Sequence, residues 1–223
     1  MESRLREAVK QSAEHEDVLS SEDRFQELLA TELGDCEREL RMVFDPPSIL
    51  PMNPSTADLT ELGNRGKDFP PGGKDPCSGS VRKLDLLWNT DHGLIPIELK
   101  AVAERQVDAY SYYFLKDLHR LERLREVEGN DSISSRRFAI FLTKASEYWS
   151  HSTPEPEVFR LSHGRSLPRR WWVQFTQDSP VTRWVGDYPP FHLARGYRFE
   201  WTDLGNGMRY LLTEVEKVPL TPR

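Results

Sequence analysis

Apolar positions recur at helical spacing from Phe25 through Leu28, Leu29 and Leu33, with Ser20, Ser21, Glu22 and Asp23 ahead of them and Gly34 behind. Serine caps, acids in the first turn and a glycine stop predict an amphipathic helix over 21–33. Glu22 falls three residues before Phe25, at the edge of the apolar stripe instead of opposite it. The plain explanation is an acid placed to favour the helix macrodipole. Arg38 to Phe44 predicts a first strand. Asp45 to Gly79 then carries seven Pro and five Gly with almost no periodicity, which predicts a long loop suited to a lid or substrate arm.

Ser80–Trp88 and Leu94–Ala101 are short β-like runs around the turn formers Asn89, Thr90, Asp91, His92 and Gly93, an antiparallel hairpin. The pattern becomes helical from Glu104 to about Glu126, with Val107, Tyr110, Phe114, Leu118 and Leu121 on one stripe and Gly129 and Asn130 ending it. Phe138–Thr143 is a short apolar run, expected as a buried strand reached by a crossover. Trp171–Phe175, Tyr197–Trp201 and Arg209–Val215 predict further strands, so the last third is expected to be β-rich.

The expected architecture is α/β, a mixed central sheet flanked by helices with a β-rich C-terminal extension. Its 223 residues suit one domain, with a core over 20–144 that includes the 45–79 loop and an extension over 145–223. A hydrophobic fraction of 37% with six Trp is too apolar for disorder, while no apolar run is long enough to span a bilayer. The charged start, Met1–Lys10, is unlike a signal peptide, and Cys36 and Cys77 form no disulfide or zinc pattern. The expectation is a soluble, cytoplasmic protein with no membrane partner.

The net charge of -6 excludes a uniformly basic nucleic-acid binder, but the charge is uneven. Met1–Asp45 holds six Lys/Arg against thirteen Asp/Glu, whereas Arg160–Glu200 holds seven Arg against three acids. Arg165, Arg169 and Arg170 beside Trp171 and Trp172 combine guanidinium and indole groups that can hold phosphates and stack on bases. Arg65, Lys67 and Lys74 in the loop are further candidate phosphate contacts. Gly63, Gly66 and Lys67 do not complete a nucleotide-triphosphate loop. The six His have no metal-binding spacing.

Alternation puts Glu98 and Lys100 on one face of the second hairpin strand and Lys83, Asp85 and Leu87 on the polar face of the first, with Leu84, Leu86 and Trp88 opposite. If Trp88 pairs with Ile95, Asp85 faces Glu98; if Trp88 pairs with Gly93, the two acids lie diagonal on one face. Pairing Trp88 with Leu94 separates them and mixes apolar with charged positions. Adjacent carboxylates repel and raise each other's pKa unless neutralised. A divalent cation does this, polarises a phosphoryl oxygen and acidifies a bound water, while Lys100 can orient that water or stabilise charge developing on phosphorus.

Asp85, twelve intervening residues and Glu98-Leu99-Lys100 resemble the motif of the PD-(D/E)XK nuclease superfamily, the restriction-endonuclease-like fold. The order helix, three strands, helix, strand over 20–144 is similar too, although Leu84 stands where the superfamily often has proline. The resemblance implies a metal-dependent nuclease, DNA ahead of RNA, using magnesium or manganese. Asp85, Glu98 and the Leu99 carbonyl would be metal ligands, Lys100 the catalytic lysine and Glu22 the helix-borne acid. Gln106, Tyr113 and Asp117 on the second helix would support the site, and a homodimer is one route to cutting both strands. The competing expectation is a non-catalytic module that binds nucleic acid or a protein partner on the same fold.

Overall fold

The computed structural model describes residues 1–44, 82–103, 107–128, 132–150, 160–169, 171–173 and 191–217. The expected sites at Arg65, Lys67, Lys74, Gln106 and Arg170 lie outside them.

The chain starts with a helix, α1 (Glu2–Ala13), that its pattern did not announce. Helix α2 (Glu22–Leu33) follows as its pattern predicts: the Ser21 side chain accepts from the Arg24 N–H, and Gly34 ends the helix at φ 74°, ψ -158°. Strand β1 (Cys36–Phe44) comes next. The hairpin β2 (Arg82–Thr90) and β3 (Gly93–Val102) leads to α3 (Val107–Arg123), β4 (Leu124–Val127) and β5 (Arg136–Thr143). Helix α3 therefore stops three residues short of the expected Glu126. The residues that follow leave the helix to pair with β1, as Met42 with Val127 and Phe44 with Leu124.

Beyond β5 the described residues form a one-turn 3-10 helix (Ser146–Tyr148) and the strands β6 (Ser166–Leu167), β7 (Trp171–Val173), β8 (Phe191–Leu193), β9 (Tyr197–Arg198), β10 (Trp201–Asp203) and β11 (Arg209–Glu216). The predicted run Tyr197–Trp201 is split, because Tyr197 pairs with Leu167 of β6 whereas Trp201 pairs with Leu211 of β11.

The fold is mixed α/β. Its central sheet has the order β10-β11-β5-β3-β2-β1-β4, and among the strands of the described residues β3 and β5 are the neighbours that run parallel, the direction a helical crossover between them requires. Helices α1 and α2 cover one face, where Leu5, Phe25 and Leu29 pack with Trp88, Ile97 and Ile140. Helix α3 covers the other, where Tyr112, Leu115 and Leu118 pack with Leu87, Phe141 and Leu211. The C-terminal strands are tied to α3 by the buried Glu122, whose carboxylate accepts from the Ala194 N–H, the Arg195 N–H and the Tyr197 hydroxyl at 2.7–2.9 Å. No helix among the described residues is long and apolar enough to cross a membrane.

Candidate functional site

The hairpin register settles the choice among the three pairings. Trp88 pairs with Ile95, Leu87 with Pro96 and Leu86 with Ile97, and one further step along this register sets Asp85 against Glu98. At that step the sheet opens. The β2–β3 ladder ends at Leu86, and the Leu99 N–H donates instead to the Asp85 carboxylate, at 2.6 Å from Oδ2. On the other side, Arg38 pairs with Leu86 and Leu40 with Leu84, but the intervening Glu39 has φ 58°, the left-handed region that non-glycine residues seldom enter. The Asp85 carbonyl accepts from the Gln26 side-chain amide of α2.

This irregularity overturns one detail of the alternation. Leu84, expected beside Leu86 and Trp88, packs with Leu87 in the α3-side core while Leu86 and Trp88 face α1 and α2. The alternation of β2 breaks at Asp85, and its carboxylate takes the Leu99 N–H.

Glu98 is 3% exposed, and its Oε1 is buried without a hydrogen-bond partner. Burial first, then the neighbouring Asp85 and Asp117 charges, push its carboxyl well above the ordinary carboxylate range. Burial likewise raises Asp85, although Lys100, a hydrogen bond with Glu98 and the Leu99 N–H pull it down. The two acids thus form a coupled, desolvated pair that resists double ionisation.

Lys100 Nζ lies among acids from two helices. It donates to both oxygens of Glu22 at 3.1 and 3.2 Å and to the Leu99 carbonyl at 2.8 Å, and it is 3.1 Å from Asp117 Oδ2. Burial opposes its charge, but Asp117, Glu22, Asp85 and Glu98 outweigh that and raise its pKa, so the ammonium stays protonated at neutral pH. Asp117 is held on its other oxygen by Arg120 at 2.8 Å. Glu22 is pushed up to about 7 by burial, helped by Asp85 and Asp117 and opposed by Lys100.

A cavity of about 320 Å³ opens against this cluster, lined by Glu22, Lys100, Tyr110, Tyr113, Lys116, Asp117 and Arg120. Glu22, Asp85, Glu98, Lys100 and Asp117 are brought together here, and Tyr113 reaches the cavity wall. Arg165 and Arg169 belong to the C-terminal region; Arg165 lines a separate pocket and Arg169 is solvent-exposed. The sequence reading missed Gln26, whose signal was a polar residue inside an apolar stripe four positions after Glu22, and Lys116 and Tyr110, which line the cavity from α3.

Among the described residues, no group of three or more His, Cys, Asp or Glu side chains is arranged to hold a metal ion by itself. The donors nevertheless suit a hard cation that keeps most of its waters: two adjacent carboxylates, one with an unmet buried oxygen, and a carbonyl at Leu99 with a second lone pair left after Lys100. Comparison with protein-family models, with curated proteins and with solved structures finds no match to this chain.

Proposed function

We propose that the chain is a metal-dependent nuclease of the PD-(D/E)XK kind, on a restriction-endonuclease-like core, hydrolysing phosphodiester bonds of nucleic acid, DNA ahead of RNA. The observation that supports it most is the pairing of two desolvated carboxylates, Asp85 and Glu98, at a step of β2 where the ladders on both sides fail, with a protonated lysine beside them. Surface charge clusters on hairpins have no reason to be buried, coupled and aimed at a helix-borne acid.

Asp85, Glu98 and the Leu99 carbonyl would hold magnesium or manganese. When bound, such an ion supplies positive charge to a phosphoryl oxygen and a water acidic enough to attack near neutral pH. Lys100, already carrying its proton, cannot accept one; its Nζ stabilises negative charge as it builds on the phosphorus oxygens. Asp117 and Glu22 position that ammonium from α3 and α2, and Arg120 fixes Asp117 in turn. Gln26 anchors Asp85 from α2 by donating to its main-chain carbonyl. Tyr110, Tyr113 and Lys116 offer stacking surface and a phosphate contact in the adjoining cavity.

The test is incubation of plasmid, linear duplex and single-stranded DNA, and of RNA, with wild type and Asp85→Ala in magnesium, manganese or EDTA. Cleavage that needs the metal and vanishes with Asp85→Ala supports the reading; equal behaviour of the two proteins on every substrate sinks it.

A further inference from the structure

A second pocket, about 610 Å³, lies away from the carboxylate pair and is walled by Arg160, His163, Arg165, Leu167 and Trp171. Two guanidinium groups and one indole face a space large enough for a nucleotide, in the stretch of chain whose balance is seven Arg to three acids. Two donors of this wall, the Trp171 indole N–H and Arg160 Nη2, are shut off from solvent and have no hydrogen-bond partner. Buried donors are ordinarily satisfied, so this wall carries unmet hydrogen-bonding capacity. The wall is also built to hold its shape. Arg165 Nη1 donates to the Arg160 carbonyl at 2.8 Å, closing the loop, and the Gly164 N–H donates to the Phe199 carbonyl at 2.8 Å. Gly196 packs so closely that a Cβ there would meet the Leu167 carbonyl oxygen at 3.1 Å.

Its place relative to Lys100 follows from the sheet. Lys100 pairs with Phe141, Phe141 with Leu211 and Leu211 with Trp201, so Trp201 stands in the same transverse row as Lys100. Phe141, Leu211 and Trp201 all pack on the α3 side, the side from which Asp117 reaches Lys100. The separation is three strand steps, about 14 Å. His163 of the pocket is fastened to that row: its Nδ1 accepts from the Trp201 backbone N–H at 3.1 Å, and the His163 backbone N–H donates to the Trp149 carbonyl at 3.1 Å. With bases stacked as in a duplex, at about 3.4 Å per nucleotide, a strand lying at the Lys100 site spans the row to Trp201 in about four nucleotides.

We infer that this pocket is a single-nucleotide subsite for a nucleic-acid strand: Arg160 and Arg165 hold a phosphate, and the base lies on Trp171. The strand identity rests on the nuclease reading, whereas the pocket and its chemistry do not. Stacking on an aromatic platform requires an unpaired base, so the occupant is single-stranded, either a free strand or the end of a duplex.

The test is equilibrium binding of a fluorescent single-stranded oligonucleotide of about 16 nucleotides in EDTA to the full chain and to Arg165→Glu, Arg165→Lys, Trp171→Ala and Trp171→Phe. Arg165→Glu and Trp171→Ala are expected to weaken binding about tenfold, with Arg165→Glu flattening the salt dependence by about one phosphate contact, while Arg165→Lys and Trp171→Phe recover most of the affinity. With cleavable DNA the same losses should fall on KM and spare kcat. Wild-type affinity in both disruptive variants overturns the inference. Where a variant does not fold, photocrosslinking of an iodouracil-bearing strand to wild type decides: a crosslink within 160–171 supports the subsite, and crosslinks only elsewhere refute it. A wild type that binds through Arg165 but cuts nothing would end the nuclease reading and leave the pocket standing.

Discussion

Lys100 of β3 and Asp117 of α3 approach to 3.1 Å with side chains only 13% and 3% exposed, and this ion pair clamps the crossover helix onto the strand that carries the candidate chemistry. Glu22 completes the arrangement from the opposite side of the chain's fold, so a single ammonium joins α2, β3 and α3.

Breaking that clamp from one side takes a counter-charge from a buried cation. Asp117→Asn leaves Lys100 with Glu22 as its remaining ion-pair partner and removes the Asp117 contact of Arg120, and removal of one partner of a buried pair costs about 3 kcal/mol. Urea unfolding should show that loss. Lys100→Met together with Asp117→Leu should recover much of it, because well-packed apolar residues replace a buried pair at little cost. A double variant as unstable as Asp117→Asn alone would show that the pair is not the source of the effect.

The carboxylate pair should weigh against the fold when no cation is present. Burial raises both Asp85 and Glu98, so the stability linked to them is complete below the ordinary carboxylate range and is lost as pH climbs through the raised values. Glu98→Gln is therefore expected to melt higher than wild type at pH 8 in EDTA, while losing the stabilisation that manganese gives wild type. Thermal melts with and without the ion check both halves. A manganese response surviving in Glu98→Gln would place the cation elsewhere.

Glu22 makes a narrower pH prediction. With its carboxyl raised from 4.5 to about 7, its contribution to stability is present below about pH 4.5 and is lost across the window up to 7. Glu22→Gln should gain on wild type in urea midpoint as pH goes from 5 to 8. A constant difference between the two proteins would contradict the raised value.

Gly34 ends α2, and with it the helix that carries Glu22 and Gln26, in a backbone conformation that only glycine enters without strain. Gly34→Ala should cost about 1–3 kcal/mol in chemical denaturation even though the new Cβ would meet nothing nearer than 3.9 Å. An unchanged midpoint would show that the chain end relaxes freely.

Much of this centre was legible in the residues because its signals are local. Alternation in Leu86, Trp88, Ile95 and Ile97 left two hairpin registers, both with Asp85 and Glu98 on one face, between which the pairing of Trp88 with Ile95 decides, and helical phase put Glu22 at the rim of its stripe. What escaped depends on distant partners. Leu124–Val127 has Arg and Glu at its centre, residues at home in a helix, and becomes a strand only because β1 offers an edge. Helix α1 buries Ala8, Ser12 and Ala13 beside Leu5 and Val9, a stripe too small to stand out in a charged segment. The irregular step at Asp85 brings together Glu39 of β1, Gln26 of α2 and the Leu99 N–H of β3, and no single stretch of sequence records that meeting.

The central claim is that Asp85, Glu98 and Lys100 form one cutting centre, and the most direct measurement is the single-turnover cleavage rate of end-labelled DNA in manganese for wild type, Asp85→Asn, Glu98→Gln and Lys100→Ala. The account predicts metal-dependent cleavage by wild type and a loss of at least about a hundredfold in each variant, with folding retained by circular dichroism. Cleavage by all three variants at the wild-type rate would contradict it.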